Sequence, residues 1–171
     1  MSRLSSAEML DFMFGPELEY ADGRTVNTAE YVNSAPGVIV LVAVSWCGHS
    51  RKFSPQFKDY LDQRPGKYAV ILIPSEDDER KFREYQKTMP WPAVTFEHGF
   101  STVSPRLMQH LEFPGFPSAA AYDSEGNMLT RDVTGLVRGN KELPDPMMPD
   151  EDDSAADVDS NSESEEEQGW D

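Results

Sequence analysis

Gly37 to Pro55 reads GVIVLVAVSWCGHSRKFSP. Its first part, Val38 to Val44, is an unbroken and mostly β-branched apolar run behind Pro36-Gly37. A short run that is apolar at every position, not at every second one, predicts a strand buried on both faces. The second part changes period. Phe53, Phe57, Tyr60 and Leu61 recur at helical spacing, which predicts a helix starting near Cys47 or Gly48. The strand therefore delivers Cys47, the only cysteine in the chain, to the first turn of a helix. Backbone N–H groups without intrahelical partners collect there. The positive end of the helix dipole favours an anion, here a thiolate.

Outward from this stretch, the N-terminal side carries three signals. Ala7 to Phe14 predicts a short helix capped by Ser6 and stopped at Gly15-Pro16. Asp22-Gly23, between Glu17–Tyr20 and Arg24–Val26, predicts a hairpin. Asn27 and Glu30 have the spacing of a capping box. On the other side, Arg64-Pro65-Gly66 ends the central helix, and YAVILI, Tyr68 to Ile73, predicts a second buried strand. Glu76 to Thr88 predicts a helix with its acids, Glu76 to Glu79, at the start. Pro90-Trp91-Pro92 breaks it, and Ala93 to Phe96 predicts a short strand. Ser104-Pro105 has the form of an N-cap with proline at the first helical position, opening a helix through Leu111. Ser118–Tyr122 and Met128–Thr130, around Asp123 to Gly126, predict a last hairpin.

A chain of 171 residues has room for one domain with a sizeable core. Its net charge of −16 is unevenly spread. Residues 1–140 carry 14 basic against 18 acidic side chains, a net of −4. Residues 141–171 carry Lys141 alone against 13 acids, a net of −12. Pro144, Pro146 and Pro149 disfavour regular structure, and Asp150 to Glu167 is rich in Ser, Asp and Glu. Such a segment buries too little apolar surface to fold alone. The expected layout is a folded domain over residues 1–143 and a disordered acidic tail over 144–171. The tail is a solubility segment or a site for a basic protein partner. No basic patch suggests a nucleic-acid surface. No apolar run suggests a membrane span or a signal peptide. A single cysteine excludes an internal disulfide and points to a reducing compartment, cytoplasmic or nuclear. No Cys/His spacing suggests a metal site, and no bound cofactor is expected.

Three segments, in order, carry a resemblance to a known family. Ser45-Trp46-Cys47 with Arg51, Phe53, Pro55 and Gln56 is the first, Met89-Pro90-Trp91-Pro92-Ala93-Val94 the second, and Gly115-Phe116-Pro117-Ser118 before an apolar run the third. Together they resemble the tryparedoxin and nucleoredoxin group of thioredoxin-fold proteins over roughly residues 15–140. The resemblance implies an α/β, thioredoxin-like fold, a central mixed β-sheet flanked by helices. It also implies a cis bond before Pro117, which turns the backbone of Phe116 towards Cys47 to pair with an extended substrate. Trp46 then borders the substrate groove with Phe116 and Pro117.

The motif Cys47-Gly48-His49-Ser50 departs from the family's paired cysteines. Disulfide exchange needs a thiolate nucleophile, and dithiol enzymes use a second thiol to resolve the mixed disulfide. Cys47 fits the first role, with His49 as a side chain able to lower its pKa. Ser50 stands where the resolving thiol would be, and a hydroxyl cannot displace a thiolate. Two further departures accompany it. The central strand is apolar from Val38 to Val44, with no buried carboxylate to assist a second thiol. Ser75 also stands where tryparedoxins place a tryptophan that helps bind trypanothione. Two functions remain open from sequence. One is a monothiol thiol-disulfide oxidoreductase acting on disulfide-containing or thiol proteins, resolved by an external thiol such as glutathione or trypanothione. The other is a redox-inactive binding or adaptor module, a subunit of a larger assembly.

Overall fold

The computed structural model describes residues 13–147. The expected helix over Ala7–Phe14 and the acidic stretch beyond Met147 lie, but for Met13 and Phe14, outside the described residues. The elements run β1 (Glu17–Glu19), β2 (Thr25–Asn27), α1 (Thr28–Val32), β3 (Gly37–Val42), α2 (Gly48–Asp62), β4 (Tyr68–Ile73), α3 (Glu79–Gln86) and β5 (Ala93–Val94). A helical segment follows: α4 (Phe96–His98), a π-helical turn (Gly99–Val103) and α5 (Ser104–His110). Then come β6 (Ser118–Asp123), β7 (Met128–Thr130) and α6 (Val133–Arg138).

The seven strands form one mixed sheet in the order β2-β1-β5-β4-β3-β6-β7. β3 is at its centre, parallel to β4 and antiparallel to β6. All six of its residues are buried, because helices cover both faces. Alternation along the strand splits its side chains between two cores. Ile39, Leu41 and Ala43 pack with Phe53, Phe57 and Tyr60 of α2, Phe82 and Tyr85 of α3, and Val133 and Val137 of α6. Val38, Val40 and Val42 pack on the opposite face with Phe14, Val32 of α1, Val103, and Leu107 and Leu111 at α5. Fixing β3 from both sides fixes where its C-terminal end delivers the chain.

Local chemistry accounts for most boundaries. Gly23 takes the left-handed φ of +92° that the β1–β2 turn requires. Asn27 caps α1 by accepting the Glu30 N–H at 3.0 Å. Four predicted boundaries differ. The helix expected over Glu76–Thr88 is α3, Glu79–Gln86, because Asp78 is its cap and accepts the Lys81 N–H at 3.0 Å. Ala93 to Phe96 shortens to Ala93–Val94, with Phe96 starting the helical segment. Ser104 is not an N-cap: α5 continues from the π-helical turn, and the Ser104 hydroxyl donates to Ser75 Oγ at 2.7 Å. The tail does not begin at Pro144. Tyr60 donates its hydroxyl to the Lys141 carbonyl and accepts the Leu143 N–H. Tyr68 donates to the Pro144 carbonyl, Lys67 pairs with Asp145, and Pro146 is buried. Residues 141–147 thus form a strap across the N-terminal end of β3, held by two tyrosines whose partners lie about eighty positions away in sequence.

Candidate active site

The end of β3 and the start of α2 build the site. After Val42 the chain runs through Ala43 to Trp46, and Cys47 takes the cap position of α2 with an extended backbone, φ −97° and ψ 122°. Cys47 is half-buried, and its thiol points at the Phe116 carbonyl oxygen, 3.8 Å away. The Phe116–Pro117 peptide is cis. Trp46 stands out from the surface, 64% exposed, with its ring edge-on to Phe116 at 5.8 Å between centroids. Trp46, Cys47, Phe116 and Pro117, up to 71 positions apart in sequence, are therefore brought together at one edge of the sheet.

The backbone of α2's first turn sets the electrostatics. The Ser50 N–H, aimed at Sγ, holds the Cys47 thiol below its ordinary range. The His49 N–H, the Ser50 hydroxyl and the Arg51 charge act in the same direction, and partial burial opposes them. His49 acts on the thiol through its main-chain N–H, and its side chain is exposed. Ser50 is fully buried. Its Oγ accepts the Val44 N–H at 3.2 Å, and its carbonyl accepts from Tyr85 and Ser54. Ser50 is a structural joint between β3 and α2, beside Sγ but without nucleophilic chemistry.

The central strand carries no carboxylate, as its sequence shows, but the chain just past the neighbouring strand supplies one beside the turn. β3 and β4 run parallel with Val42 opposite Ile73. Three residues further along each chain, Ser45 and Glu76 meet. Glu76 is 4% exposed; its carboxylate accepts the Ser45 N–H at 3.0 Å and the Ser45 hydroxyl at 2.5 Å. Arg51 donates to the Ser45 carbonyl at 2.7 Å from the other side. The turn that presents Trp46 and Cys47 is thereby clamped on both sides of one residue, Ser45, at its N–H and at its carbonyl. The equal offset after two paired strands is the signal that could have found Glu76, once the pairing was known. Trp91 is a core residue against Phe57. His98 is half-buried, and its Nε2 is without a hydrogen-bond partner among the described residues. Among the described residues, no group of three or more His, Cys, Asp and Glu side chains could hold a metal ion, and no helix is long and apolar enough to cross a membrane.

Comparison with known proteins places this geometry. A thioredoxin-like family model matches residues 37–128, more than half of the chain. Tryparedoxin I from Crithidia fasciculata superposes with a TM-score of 0.68 at 24% identity, over 80% of this chain and 94% of that one. A tryparedoxin II complexed with glutathionylspermidine superposes with a TM-score of 0.67 at 22% identity, over 85% and 96%. These likenesses speak to the fold. The chain belongs to the thioredoxin-like family. Among curated relatives it is 26% identical over 119 residues to the probable nucleoredoxin 1 of Arabidopsis thaliana, over 68% of this chain and 20% of that protein. It spans about a fifth to a half of the length of the curated relatives it matches.

Proposed function

We propose that this domain carries out thiol–disulfide exchange with Cys47 as its single thiol. The Cys47 thiolate attacks one sulfur of a substrate protein disulfide. A Cys47–substrate disulfide forms, and the other substrate sulfur leaves as a thiolate that takes a proton from solvent. With Ser50 buried and bonded to Val44 N–H, the adduct is resolved by an external low-molecular-weight thiol of the glutathione or trypanothione type. The net change is one disulfide reduced to two thiols and two small thiols oxidised to one disulfide. The observation that carries the reading is the thiol at the open start of α2, facing the carbonyl that precedes Pro117. A reducing compartment, cytoplasm or nucleus, fits a chemistry that depends on one free thiol.

Affinity capture with the wild type and Cys47→Ala, eluted with and without dithiothreitol, tests this. Partners released by dithiothreitol and absent from Cys47→Ala are expected. Ser50→Cys is expected to reduce a protein disulfide such as insulin with dithiothreitol as reductant, since position 50 lies beside Sγ in the first turn. If capture is indifferent to both cysteine and reductant, the exchange reading fails. A second reading then takes its place, a binding module whose docking surface is the exposed Trp46 ring with half-buried Phe116 beside it.

A further inference from the structure

A cleft of about 560 Å³ opens beside the thiol, walled by α2, residues 113–118 and α6 with the Arg131-Asp132 turn before it. This is the size range of small-ligand sites. Its lining includes two residues that flank the chemistry, His49 and Phe116, and not Trp46. Its charged groups are Lys52, Arg131 and Arg138, with Asp132 as the one acid, and His49 lines it at the thiol end. Asp132 is engaged, since its carboxylate caps α6 at the Gly135 N–H, 3.2 Å away. Arg131 is partly engaged, donating to the Leu111 carbonyl at 3.1 Å with Glu112 at 4.0 Å. Arg138 lies over the Phe53 ring, 5.4 Å from its centroid. Neither Lys52 nor Arg138 has a carboxylate partner among the described residues, in contrast to Lys58 further along α2, which pairs with Asp62 at 2.9 Å. In a chain of net charge −16, uncompensated cations gathered in one cleft next to the reactive sulfur single out an anionic ligand.

Resting on the exchange reading, we propose that this cleft selects the resolving thiol by charge. It receives the carboxylates of a small peptide thiol on Lys52 and Arg138, so that an acidic thiol resolves the Cys47 adduct faster than a neutral or cationic one. The thiolate of the bound peptide attacks Cys47 Sγ. The bond from Sγ to the substrate sulfur breaks, and the electron pair leaves on the substrate sulfur, which is protonated by solvent. A second peptide thiol attacks the outer sulfur of the new Cys47–peptide disulfide, releasing the peptide disulfide and returning the Cys47 thiolate. Charge selection of this sign disfavours thiols carrying a polyamine.

The full chain, converted to its Cys47–2-thiopyridyl disulfide with 2,2′-dithiodipyridine, tests the proposal, because attack on Sγ expels 2-thiopyridone. Rates with glutathione, 2-mercaptoethanol and cysteamine are each divided by the rate of the same thiol on the 2-thiopyridyl disulfide of N-acetylcysteine amide. Glutathione is expected above 2-mercaptoethanol, and cysteamine below it. Lys52→Gln combined with Arg138→Gln should lower the glutathione-to-mercaptoethanol ratio roughly three- to tenfold, the range for two partly exposed ion pairs. Lys58→Gln, outside the cleft, should leave the ratio unchanged. A wild-type ratio equal to the reference, or one insensitive to the double variant, overturns the proposal and leaves the exchange reading intact. If Cys47 forms no 2-thiopyridyl disulfide, the exchange reading fails. S-methylglutathione, which has no thiol, then decides the cleft alone. NMR shifts centred on His49, Lys52 and Arg138 and lost in the double variant support it, and their absence overturns it.

Discussion

At Cys47 the competing influences are few and their signs are clear. Backbone N–H groups of Ser50 and His49 favour the thiolate, and partial burial disfavours it less. Alkylation rate against pH is expected to show a midpoint below about 8.5, the value of a free cysteine. Because the folded value is the lower one, the thiolate adds stability above the unfolded pKa. That stability is lost as pH falls through the folded pKa. The unfolding midpoint of wild type relative to Cys47→Ala should therefore rise from acid towards alkaline pH; a flat difference contradicts the shift. At Glu76 the matter is hydrogen bonding. Glu76→Ala removes the acceptor of both the Ser45 N–H and its hydroxyl. A loss of about 3 kcal/mol is expected in urea unfolding, since a buried donor left without its partner costs roughly 1–3 kcal/mol. A loss below about 1 kcal/mol would mean that water replaces the carboxylate.

Among the elements, β3, α2 and the strap over residues 141–147 decide the most. β3 orients α2 through Phe53 and Phe57, which stack at 5.3 Å on the sheet. The strap closes the opposite end of β3. Gly37 is required there: a Cβ would come within 2.6 Å of the Tyr68 ring and 2.8 Å of Pro146. A chain ending at Leu143 loses the Tyr68–Pro144 hydrogen bond and the cover of Pro146, whereas one ending at Met147 keeps both. The shorter chain is expected to melt several degrees below the longer, as about 1 kcal/mol corresponds to roughly 4 °C for a domain of this size. Equal melting temperatures would show that the strap contributes nothing.

For the molecule as a whole, one sheet is shared by two cores, and neither core survives without β3. Unfolding is therefore expected to be a single cooperative transition. Tryptophan fluorescence, which reports Trp91 in the core, should change at the same denaturant concentration as far-ultraviolet circular dichroism. Separate midpoints would show that the helical segment over residues 96–110 unfolds independently of the sheet.

The fold class and one half of the site are legible in the order of residues alone. A strand apolar at every position, followed by helical spacing from Phe53, places Cys47 at a helix start without any knowledge of the rest. This holds because strand and helix periods are properties of neighbouring residues. Those signals also read correctly at Asp22-Gly23 and Asn27, where the partner lies within a few positions. The rest depends on strand pairing and long-range packing. Glu76 belongs to a helix start by local composition, yet the parallel register of β3 and β4 sets it against Ser45 in a buried position. Lys52, Arg131 and Arg138 share a cleft only because α6, a helix without a strong local signal, packs across α2. Pro144 and Pro146 read as tail because proline disfavours regular structure, whereas two tyrosine hydroxyls, at positions 60 and 68, bind main chain that has no regular partner of its own.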